Sequence, residues 1–174
     1  RKLLANNAGK RALYLKNDSH WNSLGAYYAY VNIINSLYKQ NRAVGEPLDK
    51  DQFQIKIISD YNKGDLLDLL GIDNSKGYFD DTYIRFIPER KIRANKIFNV
   101  YGNGSFVVEN LDAANEETIL FFGDSFSNEL LQFMPAHFRR TVFIRNINLD
   151  KPLIEKINPT IIVYGIVERN LEYF

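Results

Sequence analysis

The chain contains no cysteine, which excludes a disulfide framework, a thiolate nucleophile and a zinc site built on Cys ligands. Histidine is almost as scarce: His20 and His137 are the only two, so imidazole chemistry has two candidates. Charge of one sign is lacking as well, with 22 Lys and Arg against 21 Asp and Glu for a net of +1. That balance gives no reason to expect nucleic acid or an anionic membrane surface as a partner. No stretch approaches the roughly 20 apolar residues of a membrane-crossing helix, and no signal peptide stands at the start. Because residue 1 is Arg rather than Met, the chain reads as an excised piece, so any targeting segment is expected to lie outside it.

Aromatic residues are plentiful, with 12 Phe and 11 Tyr but one Trp among 174 residues. They supply large buried area and, where exposed, rings on which sugars can stack. The length suits one domain with its own core, and no repeat, low-complexity tract or linker divides it. Residues 11–16 (RALYLK) alternate like a strand, and residues 17–22 (NDSHWN) break the pattern with turn and cap residues. Ser23 then caps a helix to Lys39, with Leu24, Tyr27, Tyr28, Val31, Ile34, Leu37 and Tyr38 at helical spacing. Residues 53–59 read as a strand, and Gly64-Asp65 opens a short helical run to Leu70 that Gly71 closes.

Between residues 82 and 110 the signals are short and β-like, at 83–87, 97–101 and 106–108. Gly102-Asn103-Gly104 fits a tight hairpin connection, which demands positive φ. The grammar then changes. Residues 118–122 (TILFF) form a continuous apolar run, followed by Gly123-Asp124-Ser125 and a helix containing Leu130, Leu131, Phe133 and Met134. A strand at 141–144, a helix at about 152–157 and a strand at 161–167 complete the chain. Unbroken apolar strands alternating with helices predict an α/β fold with a mainly parallel sheet flanked by helices. The β-rich middle is expected as an insertion within a single domain spanning residues 1–174.

Gly123-Asp124-Ser125 stands where α/β sheets present ligand-contacting groups, at the carboxyl end of a buried strand. A serine there projects its hydroxyl from the turn, with N–H groups of the next helix available to an oxyanion. The other reading makes Asp124 or Ser125 an ordinary helix cap, and the tripeptide alone favours it. His137 lies near a helix end, where a cationic side chain complements the dipole, and is read as structural. His20 lies in Asp18-Ser19-His20-Trp21, a polar break after a strand. Residues two apart in an extended segment point the same way, so Asp18 can reach the His20 ring, fix its tautomer and leave the other nitrogen for a serine proton. From the loop alone, a solvent-exposed turn with Asp18 as a helix cap and Trp21 over a hydrophobic edge is the stronger reading.

In this order, Asp18-Ser19-His20-Trp21-Asn22, Gly25-Ala26, Gly64-Asp65-Leu66, Gly123-Asp124-Ser125-Phe126-Ser127 and Val167-Glu168-Arg169 resemble the AlgX/AlgJ-like polysaccharide O-acetyltransferases, over about residues 14–171. The resemblance implies an SGNH-hydrolase-like domain in which Asp and His precede the nucleophile turn, the reverse of the order in ordinary SGNH esterases. It implies that Ser125 carries an acetyl group as an ester and that His20, oriented by Asp18, deprotonates first the serine and then the acceptor hydroxyl. It implies further an exported polysaccharide as acceptor, a membrane-bound O-acyltransferase as acetyl supplier, a place in the periplasm or at the cell surface, and no metal or tightly held cofactor. Two departures stand out: family members carry an upstream stretch that contributes to the same sheet, which this chain is expected to lack, and no carbohydrate-binding module follows.

Around these three residues, Asp124 is expected to hold the turn, and Asn128 either lines an oxyanion hole or faces solvent. Arg145, Glu168 and Arg169 follow strands whose ends a parallel sheet brings toward Ser125, the last two read as an ion pair that shapes the pocket. Trp21 either stacks on a sugar or packs over the loop. Two rival functions use the same residues or fold: a glycan acetyl esterase, differing only in taking water as acceptor, and a non-catalytic polysaccharide-binding protein.

Overall fold

The computed structural model describes residues 12–40, 42–58, 64–72, 83–88, 94–98 and 104–173. The elements in chain order are α1 (Ser23–Lys39), β1 (Phe53–Ile58), the single-turn α2 (Asp65–Leu69), β2 (Tyr83–Pro88), β3 (Ala94–Phe98), β4 (Phe106–Asn110), β5 (Thr118–Gly123), β6 (Arg140–Ile144), α3 (Lys151–Ile157) and β7 (Ile161–Gly165). Short 3₁₀ segments cover Lys50–Gln52, Ser125–Gln132, Met134–Ala136 and Glu168–Tyr173. No helix among the described residues is long and apolar enough to cross a membrane.

Five strands form one sheet in the order β3-β4-β6-β5-β7. The expected α/β architecture is present: β6, β5 and β7 run parallel, joined by helical crossovers. The β-rich middle divides between two sheets. Strands β3 and β4 extend the main sheet in antiparallel sense, whereas β1 and β2 form a separate antiparallel pair among the described residues.

The apolar run of β5 follows from its central place, with both faces covered. Ile119 and Phe121 join the cluster under α1, where Tyr27, Tyr30 and Ile34 meet Phe53, Phe133, Phe138 and Phe143. Leu120 and Phe122, pointing the other way, join Val142, Ile144 and Ile157 beneath α3. Burying one such side chain stabilises the fold by about 1.5–3 kcal/mol, so this central strand fixes register strongly. The first cluster is aromatic at its centre, with Tyr30 stacked on Phe133 at 5.0 Å between ring centroids and Phe53 edge-on to Phe133 at 5.4 Å.

Local expectations differ from the structure at several points. Among the described residues of the 11–16 segment, only Tyr14 makes a β-bridge, to Trp21. The chain folds back on itself there, Leu15 N–H donating to His20 O at 3.2 Å and Asn22 N–H to Leu13 O at 2.9 Å, so its alternation serves a tight loop rather than a sheet strand. The cap of α1 is Asn22, whose Oδ1 accepts from Leu24 and Gly25 N–H. Ser23 is the first helical residue, and its hydroxyl donates instead to Glu129. The helix expected after Ser125 is wound as 3₁₀. Strand β3 begins earlier than the 97–101 signal, and β7 ends at Gly165 rather than 167. Residues 59 and 101–103 lie outside the described residues, including Gly102-Asn103 of the expected hairpin; Gly104 has φ +84°, as a tight connection requires.

His137 is structural, but as a neutral buried group rather than a cation at a helix end. Tyr30 Oη accepts from Leu48 N–H at 2.7 Å and donates to His137 Nε2 at 2.6 Å, which leaves His137 Nδ1–H to donate to Val44 O at 2.7 Å. Burial pulls the imidazole below its usual range, against the Val44 carbonyl, which favours the proton. The same burial pushes the Tyr30 phenol up. This relay fastens the stretch after α1, residues 44–48, onto the core.

Candidate active site

The carboxyl ends of β5 and β7 meet at the paired residues Gly123 and Gly165, and the chain leaves β5 directly into Asp124-Ser125. Asp124 caps the 3₁₀ turn through Oδ1, which accepts from Phe126 N–H at 3.0 Å. Its Oδ2 accepts from Val167 N–H at 2.6 Å and from Asn170 Nδ2 at 3.3 Å. Asp124 therefore ties the turn carrying Ser125 to the chain beyond β7 and is not itself in line with a histidine. A capping Asp and a projecting Ser occur together here, so the two readings of the tripeptide are compatible.

The 17–20 loop arrives from the opposite end of the sequence. Ser125 Oγ lies 2.7 Å from His20 Nε2, and His20 Nδ1 lies 2.5 Å from Asp18 Oδ1. A carboxylate only accepts hydrogen bonds, so Nδ1 carries the proton and Nε2 is the acceptor for the Ser125 hydroxyl. Asp18 Oδ1 also accepts from the His20 backbone N–H at 2.8 Å, so one oxygen holds both the ring and the main chain of His20. Side-chain exposure is 27% for His20 and 14% for Asp18, which leaves the imidazole within reach of a substrate. The Phe126 ring covers His20 with centroids 4.8 Å apart.

The other candidates fall around this line in different ways. Trp21 donates from Nε1 to Phe126 O at 2.9 Å and sets its ring edge-on to Phe126 at 5.6 Å, so it packs the loop onto the nucleophile turn. Arg169 holds its guanidinium 5.6 Å from the Phe126 ring centre, a cation–π distance. Glu168 and Trp21 line a cavity of about 470 Å³ with Phe121, Asp124 and Phe126, whose lining includes neither Ser125 nor His20. Asn128 is on the exposed side of the 3₁₀ segment. Arg145 turns toward the β3–β4 side: its N–H donates to Ser105 Oγ at 2.9 Å and its side chain lies against Gly104.

One carboxylate went without a role in the sequence. Asp65, the first residue of α2, accepts from Ser19 N–H through Oδ1 at 2.7 Å and from Ser19 Oγ through Oδ2 at 2.5 Å. Its Oδ2 lies 3.6 Å from His20 Nδ1. Partial burial pushes the Asp65 carboxyl up, but the two Ser19 donors and the His20 ring outweigh it and hold it below its usual range. Donor atoms of Asp18, His20 and Asp65 lie within 4.8 Å of one another, a spacing open to a cation. In this structure Asp18 bonds His20, His20 bonds Ser125, and Asp65 bonds Ser19. Phe126 and Asn170 were also missed; only their position beside the Gly-Asp-Ser and Glu-Arg motifs marks them in the sequence.

Such a line can move a proton from Ser125 Oγ to His20 Nε2 while Asp18 holds the ring, the requirement for attack by a serine on an acyl carbon. The SGNH hydrolase-like domain of the acetyltransferase AlgX matches residues 1–144. PatB1 of Bacillus cereus superposes with a TM-score of 0.76 at 18% identity, over 97% of this chain and 68% of that one, and has also been solved with a sulfonyl adduct. A DHHW family protein from Eubacterium siraeum gives 0.71 at 16% identity, over 95% and 62%. The O-acetyltransferase domain of Pseudomonas putida AlgJ gives 0.53 at 14% identity, over 99% and 61%. The chain thus spans about two thirds or less of the length of these structures. A search of the curated proteins found no match.

Proposed function

The chain belongs to the family of the SGNH hydrolase-like domain of acetyltransferase AlgX, and from that premise we propose that it transfers acetyl groups to hydroxyls of a polysaccharide through an acetyl ester on Ser125. The observation that carries the proposal is the 2.7 Å contact between Ser125 Oγ and His20 Nε2.

In the first half of the reaction, Oγ attacks the acetyl carbonyl as His20 Nε2 takes the hydroxyl proton. The imidazolium so formed is stabilised by Asp18, and the Ser125 backbone N–H meets the developing oxyanion, the N–H groups of Phe126 and Ser127 being engaged by Asp124. Collapse expels the donor's oxygen, which leaves with the proton from His20, and the acetyl group remains on Ser125. In the second half, an acceptor hydroxyl binds against His20, loses its proton to Nε2 and attacks the ester carbonyl. Ser125 departs and recovers its proton from His20. General base assistance of this kind contributes about 10²–10⁴-fold.

The reading takes an exported polysaccharide as acceptor and a membrane-bound O-acyltransferase partner as acetyl supplier, on the family resemblance. With them goes work in the periplasm or at the cell surface. No step calls for a metal or an organic cofactor. Water in place of the sugar hydroxyl makes the same residues an acetyl esterase, and the partly exposed His20 ring admits both. The test is incubation with an isotopically labelled acetyl donor and an oligosaccharide acceptor, reading label in sugar ester and in free acetate. Ser125-dependent label in the sugar supports transfer. Label in acetate alone would make the protein an esterase.

A further inference from the structure

We propose that Asp65 is a positioning residue for His20, acting through the 17–20 loop; this rests on the reading of His20 as the base. Helix α2 grips the loop on both sides of Asp18. Leu66 N–H donates to Asn17 O at 3.3 Å, before Asp18, and Ser19 donates its N–H and its hydroxyl to the two Asp65 oxygens, after it. Asp18 therefore sits between two peptide groups that are both fixed to α2, 46 residues away in sequence.

Gly64 lets this grip close. A Cβ built there would fall on the Asn17 carbonyl oxygen, so only glycine allows α2 to approach the loop so closely. The grip matters because the Asp18–His20 geometry is made within the same four-residue loop, 17–20. Asp18 Oδ1 receives both the backbone N–H and the ring Nδ1 of His20, so a small rotation of the Asp18–Ser19 peptide moves the ring relative to Ser125. Asp65 is the group that resists that rotation. Its own negative charge, 3.6 Å from Nδ1, also favours the imidazolium that forms when Ser125 gives up its proton. Among the described residues, the other charged groups near the ring are Asp18, directly bonded, and Arg169, 5.6 Å from the centre of the Phe126 ring that covers His20.

The experiment compares the parent with Asp65→Ala, Asp65→Asn and Ser19→Ala by two readouts. One is the rate of acetylation by p-nitrophenyl acetate, resolved into a maximal rate and a half-saturating concentration. The other is the downfield ¹H resonance of the His20 Nδ1–H, assigned by its loss in His20→Ala. Asp65→Ala is expected to lose the resonance to solvent exchange and to lower the maximal rate about 10–100-fold, the range for a hydrogen bond to a charged group, with half-saturation unchanged. Asp65→Asn keeps an acceptor for the Ser19 N–H and recovers part of the rate. A folded Asp65→Ala protein that keeps the resonance and reacts within about twofold of the parent would overturn the proposal. Should that variant not fold, Ser19→Ala decides, since it removes one donor and leaves Asp65 in place: an unchanged resonance and rate count against the link, and a weakened resonance with a lower rate supports it. Absence of any Ser125-dependent acetylation in the parent would refute the acyl-enzyme instead, and the resonance would still report whether Asp65 holds His20.

Discussion

Ser125 Oγ and His20 Nε2 stand 2.7 Å apart although 105 positions separate them in the chain. The contact joins a turn that leaves β5 to a loop that precedes α1. Its distance therefore depends on how each is anchored, and the anchors are separate.

On the serine side the anchor is Asp124, which accepts from Phe126 N–H, Val167 N–H and Asn170 Nδ2. Asp124→Ala leaves those donors without their acceptor and frees the Glu168–Tyr173 segment from the turn. The expected loss is about 2–3 kcal/mol, the range for a cap plus a charge-assisted bond. Urea unfolding monitored through Trp21 fluorescence measures it, and a change within about 0.5 kcal/mol would deny Asp124 the tying role.

On the histidine side, Asn22 closes the loop into α1. It is fully buried, accepts from Leu24 and Gly25 N–H and donates from Nδ2 to Ala12 O at 2.8 Å. Asn22→Ala is expected to cost about 2 kcal/mol, whereas Asn22→Ser keeps a capping oxygen and loses the bond to Ala12. Equal unfolding midpoints for the two variants would contradict the division.

The His137 relay carries a pH dependence with a definite sign. Burial lowers the folded-state value from its usual 6.5, so the unfolded chain binds more protons in the window beneath 6.5. The relay's contribution is complete above about pH 6.5 and is lost as pH falls through the lower folded value. Subtracting the melting profile of His137→Gln from that of the parent between pH 8 and 5 should give a difference that shrinks toward acid. A difference that grows toward acid would mean that the buried imidazole is charged.

Much of this was legible in the sequence for physical reasons. The TILFF run announced a strand buried on both faces, and α1 declared itself by the spacing of Leu24, Tyr27, Val31 and Ile34. The pairing of Asp18 with His20 was left open by the loop itself, whose residues 16–20 bend rather than extend, and came from the resemblance of the whole set of motifs. What escaped depended on distant partners. Nothing local in Gly64-Asp65 tells that its carboxylate meets Ser19, because that contact is created by the packing of α2. The alternation of residues 11–16 gave a strand signal, yet Leu13 and Leu15 bond back to Asn22 and His20, a choice made by the turn. His137 looked like a terminal cation because its buried partners, Tyr30 and Val44, lie about a hundred residues upstream.

The account stands most directly on whether Ser125 becomes esterified. Intact-protein mass spectrometry after exposure to p-nitrophenyl acetate should find one added acetyl group on the parent, none on Ser125→Ala, and accumulation slowed by about 10²-fold or more on His20→Ala. An adduct that persists in Ser125→Ala, or no adduct on a folded parent protein, would contradict the acyl-enzyme and with it the proposed transfer.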